Sequence, residues 1–376
     1  MRAMDMKTLG FFMTLAAPAA GAETAMLVYV GTYANGIYVL SLDEATGVLT
    51  SRGLAAETPD PSFLALDPGR RILFAVNETG RLDDAETGGV SAFSVQAGDG
   101  GLRFLGRQPS GGTYPCHITA DASGRFVAVA NYGSGSVAVF PVGKGGELGP
   151  ARAHVQHRGH GSNPERQEGP HAHGVYFDRA NRFLLVADLG LDQVLVYRFD
   201  AETGALQPND PPFAPLEPGS GPRHLALAPD GRQVYCLNEL RSTITVFAFD
   251  EKAGRLTALQ TVGTLPPEAA GANSIAEIEV HPSGRFVYAS NRGDDSVAVF
   301  AREAEGGRLT AVEFVPAGGR RPRGFALSPG GRLLLVGHQD ADTVQVFRVD
   351  AETGRLTPVA PTVTVPRPVS FAFVSR

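Results

Sequence analysis

The feature that most restricts how this chain can fold is a segment that recurs seven times. Its copies end at positions 33, 78, 132, 189, 239, 292 and 339, at intervals of 45, 54, 57, 50, 53 and 47 residues. Each copy is a short apolar run of strand length, at 27–33, 72–78, 126–132, 183–189, 233–239, 286–292 and 333–339. Self-similarity at such a spacing marks a repeat architecture, in which one supersecondary unit is stacked many times over.

The punctuation around each copy defines the unit. A turn such as Pro229-Asp230-Gly231-Arg232, Pro282-Ser283-Gly284-Arg285 or Pro329-Gly330-Gly331-Arg332 stands before the apolar run. Another strand pattern follows it, at 89–95, 136–141, 193–199, 243–249, 296–301 and 343–349. A tight turn such as Asp200-Ala201-Glu202-Thr203-Gly204 then leads into a short fourth strand. Four antiparallel strands in about 50 residues make one propeller blade. The first copy lacks a preceding strand, while residues 369–373 form a first-type strand with nothing after it. The two ends therefore complete one shared blade. The fold expected is all-β, a seven-bladed β-propeller of four-stranded antiparallel blades closed by the N- and C-terminal strands. Closure hides sheet edges that an open array exposes, and a β-sandwich leaves the periodic turns unexplained.

Composition agrees and narrows the function classes. The chain has 376 residues, 43% hydrophobic and 19% charged, with 46 Gly and 27 Pro, which suits a large core and many turns. A net charge of -6 with scattered Lys and Arg argues against a nucleic-acid partner. Two cysteines, Cys116 and Cys236, fit no disulfide framework. At the N-terminus Arg2 and Lys7 precede an apolar run at 9–17 and then Ala20-Gly21-Ala22, the order of a secretory signal peptide cleaved after Ala22. The domains expected are a signal peptide at 1–22 and a propeller at 23–376, in the periplasm or secreted; read as a mere extension, the segment leaves a cytoplasmic protein. No stretch reaches the roughly 20 apolar residues of a membrane-spanning helix. Neither a membrane nor an obligate protein partner is expected.

In a four-strand meander the starts of first strands and the ends of second strands share one face of the ring, around the channel mouth. First-strand starts supply Cys116 and His117, His171 and His173, Arg223 and His224, Glu277, and Arg323. Second-strand ends supply Glu78, Asn131, Asp188, Asn238 and Glu239, Asn291 and Arg292, and His338. The reversal at 229–231 brings Arg223 beside Glu239, within salt-bridge reach; this is either a structural clasp or part of a site. The repeated Asn residues read as turn caps. His117 and His224 read as wall residues, whereas His171, His173, Glu239 and Arg292 interrupt the repeat and are the better functional candidates. The segment 151–169 carries His154, His157 and His160 at a spacing that matches no fixed metal motif. It reads as a flexible lid, and neither a metal nor a cofactor is expected. Long Pro-rich connections at 207–221 and 263–273 on the same face suggest a covered pocket.

Several motifs together resemble a known family. Tyr29-Val30-Gly31-Thr32-Tyr33, Pro115-Cys116-His117, Gly169-Pro170-His171-Ala172-His173-Gly174, Gly221-Pro222-Arg223-His224 and Ser290-Asn291-Arg292-Gly293 resemble the seven-bladed lactonases. That family includes propeller-type 6-phosphogluconolactonases and the fungal 3-carboxy-cis,cis-muconate lactonizing enzyme, and the resemblance runs from about residue 26 to the end. It implies that His171 or His173, with Arg223, Glu239 and Arg292, acts in catalysis on a small lactone. An export signal departs from the family's cytoplasmic sugar-phosphate enzymes.

The chemistry asks for the same residue types. Opening a lactone with water needs a base, donors for the carbonyl oxyanion and an acid for the leaving alkoxide. A His of near-neutral pKa or a partly desolvated Glu serves as base, so His173 or Glu239 is expected there. Arg223, Arg292 and Arg323 suit a carboxylate or phosphate and the oxyanion. His117, Glu78, Asn131, His224, Arg323 and His338 are expected to line the substrate. The function expected is hydrolysis of a small sugar or anionic lactone; alternatives are a muconate-type lactonizing cycloisomerase and a non-catalytic ligand- or protein-binding propeller.

Overall fold

The computed structural model describes residues 26–98 and 100–375; the expected signal peptide at 1–22 lies outside them. Within the described residues there is no helix, and 28 strands form seven antiparallel sheets of four. Numbered in chain order, β1 is Met26–Thr32 and β28 is Pro368–Val374, and they pair in one sheet, Val28 opposite Phe373 and Val30 opposite Phe371. This is the closure that the two unmatched ends implied.

The innermost strands are β4 (Leu64–Leu66), β8 (Pro115–Ala120), β12 (Ala172–Phe177), β16 (Pro222–Leu227), β20 (Ser274–Val280), β24 (Pro322–Leu327) and β28. Each packs against the next, and β28 packs against β4, so they wall a central channel. Second strands of the blades sit between two buried faces. β9 (Phe126–Asn131), β13 (Phe183–Asp188) and β25 (Leu333–His338) are buried at every residue, which is why they read as unbroken apolar runs rather than alternating ones. Outermost strands such as β3 (Leu49–Ala56) are mostly exposed or half-buried and carry polar residues such as Thr50, Ser51 and Arg52.

The core is seven layers rather than one centre. Each hydrophobic cluster lies between two neighbouring sheets: Val28 and Leu40 of the closing blade pack with Leu335 and Val346 of the last, and Tyr235 and Val246 pack with Val287 and Phe300. Removing a side chain such as Phe300 from a layer costs about 3–5 kcal/mol. A tyrosine hydroxyl bridges neighbouring blades at several places, Tyr29 to the Gly100 carbonyl at 2.8 Å, Tyr235 to that of Gly307 at 2.9 Å and Tyr288 to that of Gly354 at 2.9 Å.

One irregularity recurs where the inner strands begin. Register shifts fall between Pro115 and His117, Ala172 and Gly174, Pro222 and His224, and Pro322 and Gly324. The extra residue is Cys116, His173, Arg223 or Arg323. A bulge re-aims a side chain out of the alternating pattern, and all four of these residues line the channel or its mouth.

Candidate active site

A pocket of about 320 Å³ lies at the mouth where inner strands begin and second strands end. It is lined by Glu78, Tyr132, Arg166, His173, Glu239, Ser274, Arg292, Arg321 and Arg323. Glu239 is its centre of charge. It follows β17 (Gln233–Asn238), and its backbone N–H donates to the Gly221 carbonyl at 2.7 Å, fixing the residue beside the bulge of the inner strand.

Three guanidiniums converge on the Glu239 carboxylate. Arg223 Nε lies 3.1 Å from Oε2, Arg292 Nη2 lies 3.0 Å from Oε2, and Arg166 Nη2 donates to Oε1 at 2.8 Å. Burial works to raise its pKa, but Arg292 and Arg223, then His173 and Arg166, outweigh it and hold the group well below the usual carboxylate range. Arg223 also donates to the Ala276 carbonyl, and Arg292 donates Nε to the Ser274 carbonyl at 3.3 Å and Nη2 to that of Ile275 at 3.0 Å. Burial brings the Arg292 pKa down to about 9, helped by Arg223, Arg323 and Arg321 and opposed by Glu239, so it stays charged at neutral pH.

His173 occupies the bulge of β12 and is buried. Its Nδ1 sits 3.6 Å from Cys116 Sγ, and its ring meets Tyr132 edge-on at 5.3 Å. Burial, then the Arg223 and His224 charges, push its pKa well below the ordinary 6.5, so the imidazole is neutral at neutral pH. Burial raises the Cys116 thiol, which donates toward the His173 carbonyl at 3.3 Å and stays protonated. On the far wall Arg323 Nη2 donates to the Tyr33 hydroxyl at 2.6 Å, and that hydroxyl donates to Glu78 Oε2 at 2.7 Å. Ser62 donates to the same oxygen. Burial raises the Glu78 pKa against the pull of Arg323.

The residues expected from sequence divide cleanly. His173, Glu239, Arg292, Glu78 and Arg323 line the pocket, and Arg223 lies directly beneath on Glu239. His171 does not reach it: the ring stacks on Tyr132 at 4.5 Å, with Nδ1 3.0 Å from the Tyr132 carbonyl and Nε2 3.2 Å from Glu168. His117 and His224 lie deeper as packed wall. His117 packs tilted on Phe63 at 4.1 Å, and His224 Nδ1 lies 2.8 Å from Glu277 Oε1. Asn131 and His338, expected at the substrate, instead tie their turns. Asn131 donates to the Ser110 carbonyl and Ser136 hydroxyl, and His338 joins Thr343 and the Ala317 carbonyl. The repeated Asn side chains act as expected of caps, for Asn238 and Asn291 also donate to the third strands, at Thr243 and Ser296.

Tyr132, Arg166, Ser274 and Arg321 also line the pocket and were not among the expected residues. Tyr132 was findable, because it stands at the repeat position that also supplies Glu78, Glu239 and Arg292. Arg166 was not, since its segment has no counterpart in other blades. That segment is also not the loose lid expected. His157 Nδ1 lies 2.6 Å from the buried Asp188, and Gln167 Nε2 donates to the Leu189 carbonyl and Asp192. His154 and His160 point elsewhere, to the Gly111 and Gly161 carbonyls. Among the described residues no group of His, Cys, Asp and Glu is arranged to hold a metal, and both cysteines are free and buried.

Fold and site together define a propeller enzyme with a deep, arginine-rimmed pocket built around a neutral histidine. A family model for the seven-bladed β-propeller lactonases matches residues 27–373, and the chain belongs to that family. It is 35% identical over 307 residues to a 6-phosphogluconolactonase of Bacillus subtilis, covering 80% of this chain and 85% of that one. A 6-phosphogluconolactonase of Formosa agariphila is 30% identical over 311 residues, covering 80% and 86%. The solved periplasmic gluconolactonase of Pseudomonas aeruginosa superposes with a TM-score of 0.88 at 36% identity, over 93% of this chain and 99% of that one. This chain is accordingly a lactonase, a hydrolase of small lactones.

Proposed function

We propose that the protein hydrolyses a small sugar lactone bearing a negative charge, with His173 as base and the arginines as clamp. The observation that carries this reading is the charge of the pocket. Arg166, Arg292, Arg321 and Arg323 line it and Arg223 lies below, against only two carboxyls, Glu78 and Glu239. An excess of fixed cations in a low-dielectric pocket favours an anionic ligand and the oxyanion of the tetrahedral intermediate.

With Nδ1 held against the Cys116 thiol, Nε2 of His173 is the nitrogen left for water. The neutral ring takes a proton as water attacks the carbonyl, and returns it to the ring oxygen as the C–O bond breaks. Glu239 is too strongly held in its ionised form to be an effective base. Its role is to orient Arg223, Arg292 and Arg166, as a planar guanidinium fork on a carboxylate is geometrically defined. Because His173 loses its base function only on protonation, kcat/KM should stay level through neutral pH and fall only below the ordinary imidazole range. The signal-like segment at 1–22 favours work in the periplasm or outside the cell. Both a phosphate and a carboxylate suit the guanidiniums of this pocket.

The test is proton release from gluconolactone, 6-phosphogluconolactone and a muconolactone, with wild type beside Glu239→Gln and Arg223→Ala. Hydrolysis of an anionic member in preference to gluconolactone, lost in both variants, is the result expected. Equal rates on charged and neutral lactones would remove the clamp from the reading.

A further inference from the structure

A second cavity, of about 750 Å³, opens at the other end of the channel, where the inner strands finish. Phe63, Tyr176, Leu227, Phe325 and Phe371 give it apolar wall, between polar groups such as Thr119, Arg179 and Ser370. It is cut off from the catalytic pocket by a plug of rings, His117 on Phe63, His224 5.1 Å from His117 and His173 5.2 Å from His224. The space left within the plug is about 10 Å³, room for one water at most.

Two carboxyls from one strand stand in these walls. Glu277 and Glu279 both line the cavity, two residues apart on β20. Glu277 Oε1 meets His224 Nδ1 at 2.8 Å and accepts from the Ile278 N–H, and Glu279 Oε2 accepts from the Leu327 N–H at 2.9 Å. Among the described residues neither forms an ion pair with a Lys or Arg. The other ionisable groups facing the cavity are His117, kept neutral by burial, Tyr176, whose phenol burial and then Glu277 raise well above its ordinary value, and Arg179, which donates to the Pro229 carbonyl at the exposed rim. Beneath, Arg223 pulls on Glu277 but is committed to Glu239. Carboxyls placed among apolar walls without a cation carry a desolvation cost that an entering cation removes. Burial pushes Glu277 up to about 7 and Glu279 up to about 8, so near neutral pH Glu279 largely holds its proton and Glu277 is part-protonated.

We propose that this cavity is a second binding site, for a small organic cation with a primary ammonium on an apolar or aromatic body. Its volume is that of small-molecule sites, which run from about 300 to 1,000 Å³. The ammonium sits against Glu277 and Glu279, and the body lies on Phe63, Tyr176 and Phe325, whose ring faces also attract a cation. Arrival of the cation favours the ionised carboxyls, so binding near neutral pH releases protons. The site is independent of the lactone chemistry, and the cationic catalytic pocket repels the same ligand.

The test is calorimetric titration near neutral pH, in two buffers of different ionisation enthalpy. The probes are phenethylammonium and its isosteres 3-phenylpropionate and 2-phenylethanol. Phenethylammonium is expected to bind with a Kd of about 1 mM or tighter, with heat that differs between buffers because protons leave the protein. The isosteres and the variant Glu279→Gln, whose amide oxygen still accepts from Leu327, should bind roughly tenfold more weakly or worse. Leu227→Trp narrows the cavity from its apolar wall and should weaken binding about tenfold or more. Lactone hydrolysis by Glu279→Gln should match wild type. Equal binding of the three probes, heat that does not depend on the buffer, no binding of phenethylammonium, or unchanged affinity in both variants would overturn the proposal.

Discussion

At Glu239 three guanidiniums share one carboxylate, and this clasp sets what single residues should do. Arg292→Ala removes both a partner of Glu239 and a positive charge lining the pocket; kcat/KM should fall about a hundredfold, roughly 3 kcal/mol of transition-state stabilisation, in steady-state kinetics. Glu239→Gln leaves Arg223 and Arg292 buried without their counter-charge, and denaturant unfolding should show a loss of about 3–5 kcal/mol. At the other end of the channel Glu279 gives a pH signature. Its folded pKa is raised to about 8, so between the ordinary carboxylate range and that value the folded state holds a proton that the unfolded state has released. Stability from this group is therefore present at acid pH and lost as pH rises toward 8. Glu279→Gln, which cannot ionise, should gain thermal stability over wild type as pH rises from about 5 to 9, and show little difference at the acid end. An advantage that grew on acidification would contradict the placement of this carboxyl. The four bulge positions explain what the sequence left ambiguous at this scale. Two polar residues open several inner strands, His171 and His173 or Arg223 and His224, and strict alternation cannot say which reaches the mouth. The register shift decides it, in favour of His173 and Arg223.

The element that completes the pocket is the segment 157–169, which brings Arg166 onto Glu239. Its hold is Asp188 at the end of β13: Oδ2 takes His157, while Oδ1 accepts the N–H groups of His171, Gly190 and Leu191. Gly190 is needed at this seam, since a Cβ there would stand 1.9 Å from the Gly169 carbonyl oxygen. Asp188→Ala strips a buried acceptor from three backbone donors and should destabilise the protein by about 3 kcal/mol or more in chemical unfolding. Freed of its anchor, Arg166 should leave Glu239, raising KM more than it lowers kcat. Strands were easier to read than this segment. Third strands such as β6 (Gly89–Val95) and β14 (Gln193–Phe199) begin and end where their turns predict, because Gly and Asp punctuate each repeat. Residues 151–169 break the repeat and are rich in Gly, Pro and His, so no periodicity announces that Asp188, far along the chain, pins them.

The whole molecule stands on closure. Seven interblade layers form a ring only because β28 pairs with β1 and packs on β4. Deleting residues 368–376 should open an edge along β1 and two inner faces, giving an aggregating protein without a cooperative melting transition. This architecture was legible in the sequence because a repeat states the same unit many times, and errors in one copy are corrected by the others. The chemistry proposed above rests instead on residues that occur once, with His173 as the base inside the arginine rim. The most direct test is kcat/KM of His173→Gln on an anionic sugar lactone, with the fold verified by circular dichroism. A loss of about a hundredfold to ten-thousandfold is expected, as a missing general base produces; a rate equal to wild type would remove His173 from the chemistry.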